Sequence, residues 1–402
     1  MKILFISSVN LTTNPRILKE LKLAAELNHE VTFIGFNIGG WSDSLDKQVW
    51  KEYPSIEYIY LDATRTKFFS WLFFSLMNIL SRKLTTIFKK SIYLSAAAHS
   101  ERTLQLLQKL KKLEIKSYDL IVAHTLATLY SSFIFSVKIK SRFGFDVEDY
   151  HPGEKIFNIN VENEKHRREL LLKRLLPLAS YVTTAAPLIT KEIEKLSGRN
   201  DIETVFNFFS KSEFVMPKTN TDHKLNLVWF SQNINAGRGL ELVLSVWSKL
   251  KNNFQLTLIG KIDQEFYDHY IYHHTDIKIL NPFSQPELHK SISEYDIGLA
   301  IDVDNDDYNR KLAITNKILA YFQAGLYIVA TDTPAQIQFM NGHSDHGVIV
   351  KQNEESMLQI MQNIYSLKDQ IRKRNLVRYE RALNFSWEKE SEKVLKSWDK
   401  YH

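Results

Sequence analysis

The sequence predicts an α/β protein made of two Rossmann-like, doubly wound domains that face each other across a cleft. Three observations lead to this expectation. The chain has 402 residues, about twice the size of a typical domain. Short apolar runs alternate with stretches of helical periodicity, which is the pattern of parallel sheets covered by helices. The alternation stops at a polar stretch, residues 210–224, and then starts again.

The first domain is predicted over residues 1–210 and opens with a βαβ unit. Residues 2–7 form an apolar run, and Asn14 and Pro15 then match the cap and the first position of a helix. A second apolar run at residues 31–36 follows that helix, so the two strands are parallel and the crossover is right-handed. The same rhythm predicts four more strands, at residues 119–123, 143–147, 181–184 and 202–206.

The second domain is predicted over residues 211–385. Its strands are expected at residues 225–230, 255–260, 277–280, 297–301, 327–330 and 347–350, with helical stretches at 239–250, 285–294 and 316–324. Residues 386–402 carry apolar side chains along one helical stripe. We expect this final helix to pack across the seam between the domains or on its own domain.

Composition excludes several classes of protein. The chain contains no cysteine, which rules out disulfide scaffolds, thiolate metal sites, iron–sulfur clusters and cysteine nucleophiles, and which suits a reducing compartment. The apolar stretch at residues 1–8 is shorter than the core of a signal peptide. The stretch at residues 68–80 is shorter than the roughly 20 residues of a membrane span. We therefore expect a cytoplasmic protein.

Familiar cofactor and catalytic motifs are also missing. The loop after the first predicted strand, residues 7–13, contains no glycine, so the G-x-G-x-x-G fingerprint of dinucleotide-binding enzymes is absent. The sequence contains no P-loop, no G-x-S-x-G elbow and no H-E-x-x-H motif. These absences argue against NAD or FAD oxidoreductases, P-loop hydrolases, α/β-hydrolases and zinc proteases.

The loop that follows residues 225–230 predicts an anion-binding site. Arg238 lies between two glycines at the entrance to a helix. Glycines let the backbone approach an anion, and the helix N–H groups and the arginine fork supply donors suited to a diphosphate. Lys261, after a strand, and Lys317, at a helix start, would converge on the same phosphates if the strands are ordered as we expect. A flexible loop with a solvated arginine is the alternative.

Several segments resemble GT-B glycosyltransferases, especially retaining enzymes of the family 4 type. Residues 313–331, AITNKILAYFQAGLYIVAT, are similar to the donor-binding segment of that family. Ser231 and Gln232, followed by Arg238 and Gly239, resemble its phosphate loop. The order of further similar segments strengthens the resemblance; these are residues 14–16, 29–31, 119–124 and 145–149.

The resemblance implies a glycosyltransferase that moves a sugar, with retention, from a nucleotide-diphosphate sugar to a saccharide or lipid-linked saccharide, as in cell-surface polysaccharide synthesis. Protein cations would stabilise the departing diphosphate, so we expect no metal and no cofactor besides the co-substrate. His124, at the end of a strand, would contact the donor sugar; a structural histidine is the alternative. The implied donor-binding residues are Ser231, Gln232, Arg238, Gly239, Lys261, Thr315, Asn316 and Lys317.

Two departures from the family pattern leave other functions open. The paired glutamates of the family, spaced E-x7-E, would fall at Leu312 and Ala320. Gln232 stands where an arginine commonly touches the diphosphate. A catalytically silent nucleotide-sugar-binding or assembly subunit is therefore one alternative, and a GT-B-type nucleotide-sugar epimerase is another.

Acidic residues cluster after residues 143–147 and suggest an acceptor site. Carboxylates at the carboxyl end of a strand suit the binding of acceptor hydroxyls or general-base work. We assign Glu148 and Asp149, with His124, to catalysis; a solvated loop that caps the following helix is the alternative. The residues assigned to acceptor binding are Asn10, Arg16 and Asp146.

Two patterns that resemble metal sites are set aside. Asp302-Val303-Asp304 matches a D-x-D motif that is common by chance, and residues 302–313 lack the glycine and the glutamate of a calcium loop. His269 and His273 have helical spacing, but no further ligand accompanies them. We expect no bound metal.

Positive charge is concentrated in residues 64–118, which contain eleven basic and two acidic residues, whereas the net charge of the whole chain is +6. Because aromatic and aliphatic residues accompany these cations, we expect peripheral attachment to the inner face of an anionic membrane. A helix pair packed on its own domain is the alternative, and nucleic acid is not expected as a partner. The residues assigned to membrane contact are Phe68, Trp71, Phe73, Arg82, Lys83, Lys89 and Lys90.

Overall fold

The computed structural model describes residues 1–40, 42–113, 117–157, 160–303 and 307–399. The chain forms two compact units. The first comprises Met1–Val205 and the chain from Ser391 onward, and the second comprises Phe206–Glu390. The division therefore falls inside the last helix. The second unit includes residues 206–210 and 386–390, which the sequence analysis assigned to the first domain and to the final helix.

The first unit is built on a parallel sheet with seven strands among the described residues. Their order is β3-β2-β1-β4-β5-β6-β7, so the chain starts in the middle of the sheet and winds outward in both directions. The strands are β1 Lys2–Ser7, β2 Glu30–Asn37, β3 Glu57–Asp62, β4 Leu120–His124, β5 Arg142–Val147, β6 Tyr181–Thr184 and β7 Glu203–Thr204. The helices are α1 Pro15–Glu26, α2 Ser42–Glu52, α3 Phe68–Ile87, α4 Ile92–His99, α5 Glu101–Lys112, α6 Leu126–Ile139, α7 Val161–Leu175 and α8 Pro187–Ser197.

The second unit repeats this architecture with six described strands in the order β10-β9-β8-β11-β12-β13. The strands are β8 Leu225–Ile234, β9 Phe254–Ile262, β10 Lys278–Leu280, β11 Ile297–Ala300, β12 Tyr327–Thr331 and β13 Gly347–Val350. The helices are α9 Leu240–Leu244, α10 Trp247–Leu250, α11 Gln264–Phe266, α12 Gln285–Ile292, α13 Tyr308–Leu312, α14 Asn316–Gln323, α15 Pro334–Asn341, α16 Glu354–Ser366, α17 Lys368–Lys373 and α18 Asn375–Ala382. The last helix, α19 Trp387–Asp399, begins in this unit and continues in the first from Ser391.

Capping and burial explain why the first strand and the first helix form where they do. The side-chain oxygen of Asn14 accepts a hydrogen bond from the Ile17 N–H at 3.2 Å, and Pro15 takes the first position of α1. In β1, every residue after Lys2 is buried. A strand buried on both faces is typical of a parallel sheet covered by helices. The cap residues therefore set the start of α1, and the apolar run in the sequence explains the burial of β1.

The predicted fold class, two Rossmann-like doubly wound α/β domains, is confirmed. The strand β3 was not predicted. Its residues are mostly half-buried at the edge of the sheet, so it lacks the continuous apolar run that marks the inner strands. The predicted helix at residues 239–250 is divided into the short helices α9 and α10.

Candidate active site

In the second unit, the loop between β8 and α9 requires glycine. Gly239 has a φ of +84°, which disfavours residues with a side chain. A Cβ atom at this position would lie 2.9 Å from the carbonyl oxygen of Ile301, just after β11. Because β8 and β11 are neighbours in the sheet, this close approach fixes Arg238 beside the carboxyl end of β11.

Arg310 of α13 holds the same loop. Its Nη1 atom donates to the carbonyl oxygen of Gly237 at 3.1 Å. Arg238 itself donates from Nε to Asn235 Oδ1 at 3.2 Å, and both arginines are exposed. The loop therefore presents one arginine and is bound by a second.

Lys317 of α14 adds a third cation. Its Nζ atom lies 5.0 Å from the ring centre of Trp229, a cation–π contact. Burial lowers the pKa of Lys317, Asp302 opposes this shift, and the neighbouring positive charges of Arg238 and Arg310 lower it further. Arg238 and Arg310 thus both act on Lys317, and the described carboxylates nearby include Asp302 and Asp307, whose Oδ2 atom lies 3.8 Å from Arg310 Nε. Such an arrangement is stabilised by a bound anion.

The other predicted donor-binding residues lie at the same edge of the sheet, but not all of them join these cations. Asn316 Oδ1 accepts a hydrogen bond from Asn207 Nδ2 at 2.8 Å. Among the described residues, the charges that shift the pKa of Lys317 do not include Lys261, which is exposed on β9 opposite Asn233. The remaining predicted positions that are exposed or half-buried are Ser231, Gln232 and Thr315.

In the first unit, Arg16 and Asp146 form a buried ion pair at the carboxyl ends of the strands. The guanidinium of Arg16 donates from Nε to Asp146 Oδ2 at 2.6 Å and from Nη2 to Oδ1 at 2.8 Å. Its Nη1 atom donates to the carbonyl oxygen of Val205 at 2.7 Å. Thr183 donates to Asp146 Oδ1 at 2.5 Å. Asp146 is therefore satisfied on both oxygens.

His124, at the end of β4, lies between two glutamates. Its Nδ1 atom is 2.8 Å from Glu148 Oε1, and its Nε2 atom is 3.6 Å from Glu20 Oε1, an ion-pair distance beyond hydrogen-bond range. Asn14 Nδ2 also donates to Glu148 Oε1, at 2.6 Å. Glu148 is thereby held by two partners while 18% of its side chain remains exposed.

These contacts set the protonation states of the network. Burial lowers the pKa of His124, but Glu20, Glu148 and Asp146 outweigh burial and raise it to about 10. Burial raises the pKa of Asp146, but Arg16 and His124 bring it down to about 2. Burial raises the pKa of Glu20, and His124 opposes that shift. His124 is therefore a buried cation at neutral pH.

Three residues of the network have the composition of a metal site. Glu20, His124 and Asp146 each offer a ligand atom, and these atoms lie within 4.8 Å of one another. However, Arg16 already binds both oxygens of Asp146. A metal ion at these residues would therefore compete with the ion pair between Arg16 and Asp146. Asp304, of the D-x-D motif, lies outside the described residues.

The structure changes the picture of the predicted catalytic and acceptor residues. The sequence analysis placed His124 against the donor sugar, but its side chain exposes no surface because two glutamates and Asp146 enclose it. The three predicted acceptor-binding residues are also buried. Glu148 and Asp149 are only half-buried. The buried residues among the predicted set are Asn10, Arg16, His124 and Asp146.

Solved structures share this architecture over almost the whole chain. HepE from Anabaena, solved with UDP and also with UDP-glucose, matches with a TM-score of 0.68, 13% identity and 100% coverage of both chains in its UDP complex. Sucrose-phosphate synthase from Thermosynechococcus elongatus matches with a TM-score of 0.69 and 11% identity over 100% of this chain and 99% of that one. The lipopolysaccharide outer core galactosyltransferase WaaB matches with a TM-score of 0.59 and 13% identity over 99% of each chain. This chain has the GT-B fold. No protein-family model and no curated protein sequence matches it.

Two buried apolar residues stand at the positions where family 4-type glycosyltransferases, which this sequence resembles, have the paired glutamates. Leu312 is 5% exposed, and Ala320 is fully buried in the core beneath α14. Neither residue has a polar side-chain atom that could bind a ligand.

The sequence analysis did not identify Arg310, which lies with Arg238 and Lys317, or Glu20, which lies beside His124. Arg310 precedes the quoted donor segment and carries no motif of its own. Glu20 lies one helical turn after Arg16, and this spacing was the available signal that both side chains share a face of α1.

The buried histidine predicts a loss of stability at alkaline pH. The pKa of His124 is about 10 in the folded chain against 6.5 in the unfolded one, so its stabilisation is complete below pH 6.5 and declines as the pH rises to about 10. The raised pKa of Glu20 acts in the same direction. Urea unfolding across this range should show falling stability of the first unit. His124→Gln should flatten the slope, and Glu20→Gln should move the decline to lower pH. Equal slopes in all three proteins would contradict the assigned charge.

Proposed function

We propose that this protein transfers a sugar from a nucleotide-diphosphate sugar to a saccharide or lipid-linked saccharide acceptor. The observation that carries the proposal is the grouping of Arg238, Arg310 and Lys317 at the carboxyl edge of the second sheet. The GT-B fold supports it, and so do the UDP and UDP-glucose complexes of HepE. The cysteine-free sequence agrees with a reaction in the cytoplasm.

The cations supply the chemistry of the leaving group. Negative charge grows on the diphosphate as the bond to the sugar breaks, and positive groups already in place stabilise that charge. Lys317 is suited to this role because Trp229 and burial fix its position and leave it poorly solvated. In this proposal protein cations do the work of a metal ion. Retention of configuration follows from the family 4-type resemblance.

The acceptor is proposed to bind at Glu148 in the first unit. This carboxylate is partly exposed, and its contacts with the buried side chains of Asn14 and His124 fix its orientation. A carboxylate so held can accept a hydrogen bond from an acceptor hydroxyl. Asp149 follows it and is half-buried. Because Arg16 and Asp146 are buried, their proposed role is to support this surface and not to touch the acceptor.

A second candidate function is nucleotide-sugar binding without turnover. It is favoured by the apolar residues Leu312 and Ala320 at the positions of the resembled glutamates. Release of nucleoside diphosphate from a panel of donors, with and without saccharide acceptors, distinguishes the two functions. A protein that binds donor tightly and releases no diphosphate under any of these conditions would be the binding subunit.

Nucleotide binding should raise the melting temperature of the wild-type protein. We expect a shift with one or more of UDP, GDP, ADP and their sugar conjugates, since a ligand that binds only the folded state stabilises it. Arg238→Ala should reduce the shift, because Arg238 is exposed in the loop and its loss leaves the fold intact. Lys249→Ala, which removes an exposed cation from α10, is the control and should keep the full shift. Equal shifts in the two variants would reject the role of Arg238.

A further inference from the structure

The helix α3 turns most of its apolar side chains outward, whereas Phe74 and three polar side chains face inward. Three of its four buried residues are the polar Asn78, Ser81 and Thr85. The apolar stripe follows the spacing of one helical face. Its exposed members are Phe69, Leu72, Phe73, Leu76, Ile79 and Leu80. This is the reverse of the pattern expected for a helix that packs on its own domain in water.

Hydrogen bonds fix α3 in this orientation. Asn78 Nδ2 donates to the carbonyl oxygens of Ala97 and Ala98 at 2.6 and 3.0 Å. Ser75 donates to Glu101 Oε2 at 2.7 Å. Rotation of the helix to bury its apolar stripe would break these bonds and leave buried polar groups unpaired. The outward apolar face is therefore a stable feature of the first unit.

The exposed stripe is large. Phe69 is 85% exposed, and at 20 residues the helix is about 30 Å long. Contiguous apolar surface on this scale marks a site that another molecule or a membrane covers. Among the described residues, no helix is long and apolar enough to cross a bilayer. The polar inner face of α3 is instead bound to its own unit, which leaves one face for contact.

Cations lie at both ends of the stripe. Residues 64–90 contain six basic and no acidic residues. Arg65 lies 4.8 Å from the ring centre of Trp71 at one end, and Lys89 and Lys90 are exposed at the other. Two copies of this face, placed parallel or antiparallel, would bring like charges together. A surface with negative headgroups over an apolar interior complements both the charges and the stripe.

We propose that this face of α3 docks on an anionic lipid bilayer, with the helix in the headgroup region. Phe69, Phe73 and Leu76 enter the acyl boundary, and Lys89 and Lys90 bind lipid phosphates. Attachment is peripheral and reversible. The inference is independent of sugar transfer, because it concerns a surface that contains none of the proposed donor or acceptor residues. A lipid-linked acceptor would, however, lie in the same membrane.

Vesicle flotation tests the charge requirement. The full-length protein should bind vesicles of phosphatidylcholine mixed with phosphatidylglycerol at low salt and should bind phosphatidylcholine alone weakly. The double variant Lys89→Ala/Lys90→Ala should bind more weakly, by about fivefold for each lysine. The control Lys173→Ala/Lys191→Ala makes the same charge change at exposed positions on α7 and α8 and should bind as the wild type does. Equal weakening in both double variants, or no binding by the folded wild type, overturns the proposal.

Insertion of the stripe is tested with a single fluorophore. Because the chain has no cysteine, Leu76→Cys and Leu178→Cys, which are 56% and 57% exposed in the native chain, can each carry one environment-sensitive label. A blue shift on adding anionic vesicles is expected at position 76 and not at 178. Phe69→Ser/Phe73→Ser should weaken binding on the order of tenfold or more. A lipid-free blue shift with a dimeric mass would instead assign the face to a second copy and overturn the proposal.

Discussion

Replacing Arg16 with methionine is expected to lower the free energy of unfolding of the first unit by about 3–5 kcal/mol. Arg16 binds both oxygens of Asp146 and the carbonyl oxygen of Val205, and both charged side chains are buried. Its loss leaves a buried carboxylate without its strongest counter-charge. Hydrogen exchange of the amides in β1, β4 and β5 measures the change within this unit.

Lys22→Met is the matched control on the same helix. Lys22 pairs with Glu52 at 3.1 Å, but their side chains are 31% and 55% exposed. Solvent weakens such a pair, so the expected loss is less than about 1 kcal/mol. Similar losses for the two variants would mean that the buried pair contributes no more than a surface contact, and the account of the network would be wrong.

The sequence predicted every inner strand of the two sheets, and it also predicted the largely half-buried edge strands β7, β10 and β13. Residues 2–7 and 327–330 are apolar runs that were predicted as strands, and both lie inside a sheet with a strand on either side. The edge strand β3 escaped because Tyr58 and Tyr60 are only half-buried, and Tyr60 donates to Asp46 Oδ2 at 2.6 Å. A tyrosine that is partly solvated and partly bonded does not distinguish a strand from a loop.

The sequence could predict those residues of the candidate site whose position depends only on the parallel order of the strands. Arg238 and Lys317 follow strands of one sheet or begin the helices after them, and both lie at its carboxyl edge. Arg310 was not predictable, because its role depends on how α13 returns over the loop at Gly237. The burial of His124 was not predictable for a similar reason. Glu20 reaches His124 only when α1 packs on the sheet with one particular face turned towards it.

The segment at residues 64–118 shows the same limit. Its composition indicated a segment that contacts a membrane surface. However, an amphipathic helix pair packed on its own domain would have the same composition. The choice depended on which face of α3 is turned inward. The contacts of Asn78 with the end of α4 show that the polar face is turned inward, and no periodicity of apolar residues contains that information.

Replacing Lys317 with methionine is expected to reduce turnover by about 10²–10³-fold. Methionine keeps the length of the side chain and its packing on Trp229, so the fold should survive while one positive group at the departing diphosphate is lost. Release of nucleoside diphosphate from the donor identified by thermal shift measures turnover. Calorimetric binding of the free diphosphate measures the same contact without any acceptor.

Lys249→Met removes an exposed cation from α10 and is the control. It should keep both turnover and diphosphate affinity, because long-range charge alone is screened by salt. If Lys317→Met folds normally and binds the diphosphate as tightly as Lys249→Met, the cations at this edge do not hold a diphosphate, whatever the turnover. If affinity falls and wild-type protein releases no diphosphate with any acceptor, the site binds nucleotide without transferring sugar. The two readouts therefore separate an error in the site from an error in the reaction.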